Sequence, residues 1–219
     1  MSQALVVPKL AFDTLNLVEI EKNVQVAVDI NLPLFNLPLL LQPRSTCETD
    51  PNYLQIIPYV IIKDRYGYIF SYRRGSGGGE ERLLKKCSIG FGGHVEESLD
   101  DTFDRITKVA NLLSIHTMRE LNEEIGFNIS YSNYTILFNK FKCGEFSVIY
   151  STKNEVEKYH LCLLLTITID MENHASFLLE PEVINEGKWM SREELLSAHK
   201  NGSRVLEGWS EIALHHYIQ

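Results

Sequence analysis

One long amphipathic helix constrains the fold of this sequence more than any other feature does. Across positions 106–125, mainly apolar residues recur at spacings of three and four, which predicts a helix with one packed stripe. Such a stripe has to be buried against another layer of the protein. The stripe consists of Ile106, Ala110, Leu113, Thr117 and Leu121.

The end of this helix carries three glutamates on one side. Because each helical residue turns by about 100°, Glu120, Glu123 and Glu124 share an arc of roughly 100°. Like charges at these spacings repel one another by a few tenths of a kcal/mol per pair, and the helix dipole adds slightly to this cost. A bound cation would offset the repulsion, and carboxylate oxygens are natural ligands of Mg²⁺ and Mn²⁺. The pattern therefore predicts a divalent-metal site, with a solvated acidic surface as the alternative.

Two neighbouring residues support the metal-site interpretation. Arg119 lies close enough in the chain to pair with one carboxylate and to orient it. Gly126 follows the glutamates and can adopt the left-handed backbone conformation that ends a helix. The glutamates are therefore expected in the last turns of the helix.

Segments with the pattern of β-strands surround this helix. Residues 56–63 and 66–73 are apolar or β-branched, and the turn-forming segment 64–67 between them indicates a hairpin. Ser191 begins a capping box that starts a later helix. The alternation of strands and helices favours an α/β sandwich with a mixed sheet. Further strands are predicted at residues 87–95, 134–142, 146–152, 159–170 and 187–191, and a last helix from residue 210.

Residues 1–54 differ in pattern from the rest of the chain. They contain short apolar pieces, and prolines at positions 8, 33, 38 and 43 argue against a long helix. Residues 24–30 alternate like a half-buried strand. We therefore predict an N-terminal extension at residues 1–54, packed on a main domain at residues 55–219.

Charge and hydropathy exclude some partners. The formal net charge is −8, so most of the surface would repel a long nucleic acid. A small phosphorylated substrate stays compatible, because metal ions can bridge it to an acidic site. No apolar run has the length of a membrane span and the N-terminus does not resemble a signal peptide, so we expect a cytoplasmic protein without membrane contact. The oligomeric state is left open, a homodimer included.

Cysteine spacing argues against a zinc site or a disulfide. The four cysteines are far apart and form no CxxC pair. In a cytosolic chain they are expected to be separate reduced thiols. They are Cys47, Cys87, Cys143 and Cys162.

The segment 119–127 resembles the second half of the Nudix box, REUxEExGU, at every position. Upstream, residues 92–96 are similar to the Gly-Gly-x-x-Glu that opens the box. The resemblance extends over residues 56–219, although only the box is specific. It implies an α/β/α sandwich and hydrolysis of a nucleoside diphosphate that is linked to another group.

The resemblance also implies roles for individual residues. Glu120, Glu123 and Glu124 would bind Mg²⁺ or Mn²⁺, and the backbone carbonyl of Gly93 would add a ligand. Such ions neutralise the diphosphate and acidify a bound water. Arg119 would belong to the catalytic set, and the base would be Glu120 or a glutamate outside the box. The outside candidates are Glu180, Glu182 and Glu186, with Glu182 as the first choice and a solvated acidic loop as the alternative.

The spacing inside the box departs from the family pattern, G-x5-E-x7-R-E. Gly93 and Arg119 are separated by 25 residues, so the chain carries about 12 additional residues within positions 97–114. The positions at which the first Glu of the box is expected hold Leu99 and Asn111. Residues that can take its place are Glu97, Asp100 and Asp101, unless none of them does.

Basic residues cluster just before the box. In an acidic chain such a cluster can contact phosphate oxygens, although a solvated hairpin end is the alternative. We select Arg73 and Arg74 as the substrate-binding pair. The whole cluster comprises Arg73, Arg74, Arg82, Lys85 and Lys86.

Two further features near the basic cluster allow two interpretations each. Aromatic residues alternate along residues 66–72, which favours packing in a sheet over a platform for base stacking. The glycine-rich segment 75–79 is predicted to be a loop, either a plain connector or a contact for substrate.

Two other functions are compatible with the resemblance. The insertion and the displaced first Glu would suit a Nudix-fold binding or regulatory module that has lost catalysis. An isoprenoid diphosphate isomerase has a similar fold and a similar glutamate pattern, but that chemistry requires a cysteine near the box. Cys87 is the near candidate, and it lies on an apolar strand.

Overall fold

Strands and helices alternate along the chain and fall into two units. The computed structural model describes residues 2–27, 33–75, 86–96, 104–126, 131–169 and 184–218. The first unit comprises the described residues within 1–59, 92–118 and 130–165. The second unit comprises those within 60–91, 119–129 and 166–219.

The regular elements are mostly short outside a few long strands and helices. The strands are β1 (Gln3–Pro8), β2 (Leu17–Glu21), β3 (Val24–Ala27), β4 (Leu40–Pro43), β5 (Tyr53–Asp64), β6 (Ile69–Arg74), β7 (Cys87–Ser88), β8 (Gly90–Gly92), β9 (Ser147–Ser151), β10 (His160–Ile169) and β11 (Ile184–Met190). Within the described residues, the helices are α1 (Lys9–Phe12), α2 (Pro33–Asn36), α3 (Arg44–Cys47), α4 (Arg105–Ile125), α5 (Tyr131–Cys143), α6 (Arg192–Lys200) and α7 (Gly208–His216), and a 3-10 turn spans Glu157–Tyr159.

The elements confirm most of the sequence pattern. Helix α4 is the helix predicted at residues 106–125, and it also contains the described end of the insertion, from Arg105 onward. β5 is buried along almost its whole length, as a continuous apolar strand should be. The strands predicted within 87–95, 146–152, 159–170 and 187–191 are present as β7 with β8, β9, β10 and β11.

In the first unit, the strands of the N-terminal segment share ladders with later strands. β1 pairs antiparallel with β4 and with β5, so that Val6 lies opposite both Leu40 and Gln55. β9 pairs antiparallel with β10 and with β3, and β3 pairs with β2. The division of the chain into an extension at 1–54 and a main domain at 55–219 stays a prediction.

The segment predicted as a strand at residues 134–142 forms the helix α5 instead. Leu137 and Phe141, four residues apart, are both buried. The rings of Tyr134 and Phe138, also four apart, stack with their centroids separated by 5.9 Å. The strand prediction was wrong, because it relied on aromatic and β-branched content. That preference is weak, and burial of one helical stripe outweighs it.

In the second unit, three strands pair with β6. It pairs antiparallel with β5, β7 and β11. The predicted hairpin between β5 and β6 is confirmed, since Asp64 Oδ1 accepts hydrogen bonds from the backbone N–H groups of Tyr66 and Tyr68 at 2.8 Å each. Gly67, with a φ of 88°, completes the turn. A parallel bridge joins Cys87 to Leu206.

The predicted capping box starts α6. The hydroxyl of Ser191 accepts from the Glu194 N–H at 3.1 Å, and Glu194 Oε2 accepts from the Ser191 N–H at 2.7 Å. These reciprocal bonds satisfy two donors that a helix end otherwise leaves open. The last helix, α7, begins two residues before the predicted start.

The cysteines are separate thiols, as the sequence predicts. All four lie outside disulfide bonds, with Cys143 exposed and the others buried. Among the helices of the described residues, none is long and apolar enough to cross a bilayer.

We predict that Leu137→Ala lowers the free energy of unfolding by roughly 2–5 kcal/mol, because Leu137 is buried on α5 and leaves a cavity. The control Ile136→Ala removes a neighbouring side chain that is 44% exposed, and it should cost less than about 1 kcal/mol. Urea unfolding measures both values. Comparable losses in the two variants would contradict the burial of Leu137 on the packed side of α5.

Candidate active site

The three glutamates of the motif lie on the last two turns of α4. Leu121 and Ile125 on the same turns are fully buried and anchor this end of the helix. Glu123 is exposed, whereas Glu120 and Glu124 are half-buried. The carboxylates therefore stand on a firmly packed helix at the border between core and solvent.

Arg119 and Gly126 occupy the roles expected from the sequence. Arg119 Nη2 donates a hydrogen bond to Glu120 Oε1 at 2.9 Å, so it orients that carboxylate. Gly126 has a φ of 62°, and its N–H donates to the carbonyl of Asn122 at 3.0 Å. The helix thus ends directly after the glutamates, as predicted.

A buried tyrosine lies near the last of the glutamates. The hydroxyl of Tyr72 donates to the carbonyl of Gly90 at 3.0 Å, and its ring stacks on Phe91 with centroids 5.0 Å apart. Burial raises the pKa of Tyr72, and the negative charges of Glu124 and Glu207 raise it further. Tyr72 therefore remains a neutral donor, and it borders the acidic end of α4.

Glu207 is a buried carboxylate that sequence reasoning missed. It is 4% exposed. Its Oε2 accepts from Arg74 Nε at 2.8 Å, and its Oε1 accepts from the Ser88 hydroxyl at 2.6 Å. The Ser88 hydroxyl oxygen also lies 2.8 Å from the carbonyl oxygen of Gly90, which accepts from Tyr72, so this network extends to Tyr72. Glu207 lies far beyond the box in the sequence and belongs to no motif. Its position before a helix does not identify it, because many surface residues share that position.

Gly92 and Gly93, which open the motif, lie in the first unit. A Cβ at Gly92 would lie 2.3 Å from the backbone oxygen of Pro58 and 3.3 Å from Cγ2 of Ile57. No side chain fits there, so close approach of two backbones requires the glycine. Gly93 follows directly and is half-buried. The role of its carbonyl as a metal ligand stays a prediction.

Histidine contacts hold the residue after Gly93. His94 Nε2 lies 3.2 Å from His160 Nε2, and Gln55 Nε2 lies 3.1 Å from the same atom. Burial, together with the smaller effects of the charges of Arg44 and His160, lowers the pKa of His94 to about 3. His94 is therefore neutral near pH 7 and acts here through packing and hydrogen bonding.

The next two residues are held by β1 and α4. The N–H of Leu5 donates to the carbonyl of Val95 at 2.7 Å. The N–H of Glu96 donates to Nε2 of the buried His116 at 3.4 Å. The opening of the motif is thus fixed in part by the N-terminal segment, for which the sequence indicates no such role.

Arg73 and Arg74, the predicted substrate-binding pair, both contact carboxylates. Arg73 Nε donates to Glu186 Oε2 at 3.1 Å in an exposed pair, and Arg74 Nε donates to the buried Glu207. As neighbours on β6, the two side chains point to opposite faces of the sheet. Their contact with substrate stays a prediction.

Several candidate residues fall outside the described residues. Among the glutamates proposed as the base, Glu186 is described, and it has a φ of 49°. The candidates that lie outside are Glu180, Glu182, Glu97, Asp100, Asp101, Arg82 and Lys85, together with residues 76–79 of the glycine-rich segment.

The aromatic row on β6 packs in the core. Phe70 and Tyr72 are buried and contact the ring of Phe91, and Phe70 also meets Trp189 edge to face at 5.4 Å. The prediction of sheet packing is confirmed for these two residues. Tyr66, in contrast, is exposed in the turn.

Cys87, the thiol that an isomerase would require, is fully buried on β7. Burial raises its pKa, which keeps the thiol protonated. Its Sγ lies 3.8 Å from Arg204 Nη1, inside the second unit. These surroundings are those of a structural cysteine.

The donor set at the end of α4 suits a hard divalent cation. Glu120, Glu123 and Glu124 offer carboxylate oxygens, which Mg²⁺ and Mn²⁺ prefer. Across the part of the chain that the structure describes, no three side chains of the His, Cys, Asp and Glu types are gathered closely enough to hold a metal ion. The chemistry of the donors thus fits the metal, whereas the binding geometry stays a prediction.

Comparison with solved structures identifies the fold. Tm1382, whose crystal structure was described as that of a candidate Nudix hydrolase, matches with a TM-score of 0.62 over 97% of this chain and 96% of its own, at 23% identity. DR0079 from Deinococcus radiodurans matches with a TM-score of 0.50 over 83% of this chain and 94% of its own, at 16% identity. The predicted α/β sandwich with a mixed sheet is therefore confirmed as the Nudix fold.

Sequence comparison adds one family. No family model matches the chain. The chain has the Nudix fold, and residues 119–127 match the second half of the Nudix box. Protein YmaB of Bacillus subtilis (strain 168) is 32% identical over 171 residues, which are 78% of this chain and 74% of YmaB. The chain belongs to the same family as Protein YmaB.

We predict that Glu207→Gln lowers the free energy of unfolding by about 2–4 kcal/mol, because it removes the buried carboxylate charge that pairs with the partly buried Arg74. The matched control is Glu186→Gln, which breaks the exposed pair with Arg73 and should cost less than about 1 kcal/mol. Urea unfolding compares the two variants. Equal losses would mean that the Glu207 network contributes no more than a surface ion pair.

Proposed function

We propose that this protein is a metal-dependent pyrophosphohydrolase that cleaves a phosphoanhydride bond in a nucleoside diphosphate linked to another group. The observation that carries the proposal is the intact acidic end of α4, with Arg119 bonded to Glu120 at 2.9 Å. The Nudix fold and the matching half of the box support the same conclusion. We further propose that the protein acts in the cytoplasm on small phosphorylated molecules.

The three glutamates would hold Mg²⁺ or Mn²⁺, together with the carbonyl of Gly93. When bound, the metal would supply charge neutralisation of the diphosphate and acidification of a water molecule. Arg119 holds Glu120 in one orientation. Metal binding would therefore cost less side-chain entropy at Glu120. Exposed Glu123 is the carboxylate that is most accessible from solvent.

The protein's own residues would perform positioning and proton transfer. Glu120 or Glu182 would accept a proton from the attacking water, since a carboxylate within hydrogen-bond reach of that water can act as a base. Tyr72 lies near Glu124 and stays neutral, so it would add no further negative charge beside the metal-binding glutamates. Of the predicted pair, Arg74 shares the face of β6 with Tyr72 and is the proposed contact for substrate phosphate, although it also pairs with Glu207. Arg73 lies on the opposite face, where it pairs with Glu186.

Turnover of a panel of nucleoside diphosphate derivatives with Mg²⁺ or Mn²⁺ tests the proposal. At least one derivative should be hydrolysed, and Glu123→Gln should reduce kcat by roughly a hundredfold or more, because a metal ligand is lost. The control is Glu193→Gln, an exposed glutamate on α6 with the same change in charge, which should keep wild-type turnover. Mn²⁺ binding, measured by calorimetry, should weaken in the first variant only.

Failure of every derivative, or unchanged turnover in Glu123→Gln, would overturn the hydrolase proposal. Nucleotide binding without turnover would instead support the non-catalytic Nudix-fold module, which the insertion before Arg119 favours. Isomerisation of an isoprenoid diphosphate that Cys87→Ala abolishes would support the isomerase. The full burial of Cys87 argues against that outcome.

The identity of the base leads to a separate expectation. If Glu182 is the base, Glu182→Gln should lower kcat strongly with little change in Mn²⁺ affinity, because its role is proton transfer and not metal binding. Glu180→Gln, two residues away, is the matched control and should retain activity. If Glu182→Gln retains kcat while Glu120→Gln lowers kcat by more than its loss of Mn²⁺ affinity explains, the base lies inside the box.

A further inference from the structure

A basic cavity lies in the second unit beside β6 and β11. It has a volume of about 420 Å³ and is lined by three cations, Arg73, Lys188 and Arg204, with Glu186 as the carboxylate. Three positive charges and one negative charge give the lining a net charge of +2 (3 − 1). The chain as a whole carries −8. A local charge of opposite sign to the whole protein favours an anionic ligand at this place.

Arg204 is the buried cation of this cavity. It is 5% exposed. Its Nη2 donates to the carbonyl of Glu186 at 2.9 Å, and its Nη1 lies 3.3 Å from the hydroxyl of Ser71. These partners are neutral, and within the described residues no carboxylate forms an ion pair with Arg204. A buried guanidinium without a counter-charge is costly, and an anion in the cavity would offset that cost.

A β-bulge places Glu186 at the cavity. The register of β11 against β6 shifts between Asn185 and Lys188, and Glu186 has a φ of 49°. Bulges redirect side chains in this manner. The Glu186 carboxylate pairs with Arg73 at 3.1 Å while remaining 62% exposed. Such an exposed pair is weak, so an external anion can compete with Glu186 for the Arg73 guanidinium.

The cavity lies on the opposite face of β6 from the glutamates of the box. Side chains alternate along a strand, so Ser71 and Arg73 share one face and Tyr72 occupies the other. Ser71 and Arg73 contact the cavity residues Arg204 and Glu186. Tyr72 borders Glu124 instead. The two regions are thus separated by the sheet itself.

We propose that this cavity binds the phosphate group of a small phosphorylated molecule, at a site separate from the box glutamates. The planar Arg73 and Arg204 groups can each direct two donors at phosphate oxygens, and Lys188 adds a compact charge. The volume is in the range of cavities that hold small ligands and exceeds the size of a lone phosphate. The ligand therefore has an organic part beyond its phosphate.

Calorimetric titration of the full chain with inorganic phosphate in EDTA at low ionic strength tests the proposal. EDTA removes divalent ions, so phosphate has no metal to bind at the box glutamates. We expect saturable binding of one phosphate per chain, and much weaker binding of acetate, which carries one charge where phosphate carries up to two. The result is independent of hydrolase activity, so its failure and the failure of the proposed function are distinguishable.

Variants assign the binding to the cavity. Lys188→Ala and Arg73→Gln should each weaken phosphate binding by about threefold to tenfold, and Glu186→Gln should tighten it by a similar factor because it removes the internal competitor. The control is Lys200→Ala, an exposed lysine on α6 that does not line the cavity, which should leave the affinity unchanged. These variants avoid the buried Arg204, whose replacement can impair folding.

Three results would overturn the proposal. One is the absence of saturable phosphate binding in both the wild type and Glu186→Gln. Another is an equal loss in Lys200→Ala and Lys188→Ala, which would indicate attraction by net charge alone. The third is acetate binding as tight as phosphate binding, which would remove the preference for phosphate.

Discussion

Burial of the apolar stripe of α4 is the interaction on which the candidate active site depends. A fully buried Leu or Ile side chain contributes roughly 1.5–3 kcal/mol, whereas repulsion between helical carboxylates costs only a few tenths of a kcal/mol per pair. Leu121 and Ile125, both fully buried, therefore outweigh the repulsion among the glutamates beside them. The helix can hold its acidic end in place before any cation arrives, and Arg119 adds orientation to Glu120.

Strand β6 gives the second unit two chemically different faces. Tyr72 and Arg74 point toward buried acidic groups, and Arg74 pairs with Glu207. Ser71 and Arg73 point toward the basic cavity around Arg204. The two environments are separate because successive side chains of a strand point to opposite faces of the sheet. Consecutive arginines, which read as one basic cluster in the sequence, therefore belong to different surroundings.

Local pattern predicted much of the fold. The stripe of α4, the hairpin turn at Asp64 and the capping box at Ser191 are set by neighbours within a few residues, and all three are confirmed. Helix α5 was not predicted, because its aromatic residues are compatible with a strand or a helix, and packing decides between the two. Leu137 and Phe141 are buried because of how α5 packs in the fold, which composition does not show.

The candidate site divides in the same way. Glu120, Glu123 and Glu124 were identifiable because a helix fixes the directions of residues three and four apart. Glu207 was not, because its contacts with Ser88 and Arg74 join residues that are more than a hundred positions apart. The close approach of Gly92 to Pro58 is likewise visible only in the folded chain.

The sequence by itself thus determined the acidic helix and predicted a divalent-metal site there. Helix geometry alone places three glutamates on one arc, so local spacing is sufficient for this prediction. Tertiary structure alone decided which charges are buried and paired. It paired the buried Glu207 with Arg74. It also placed Arg204 in a basic cavity, where no carboxylate of the described residues pairs with it. The physical reason is that the energy of a charge depends on burial and on its nearest counter-charge, and both are set by segments that lie far apart along the chain.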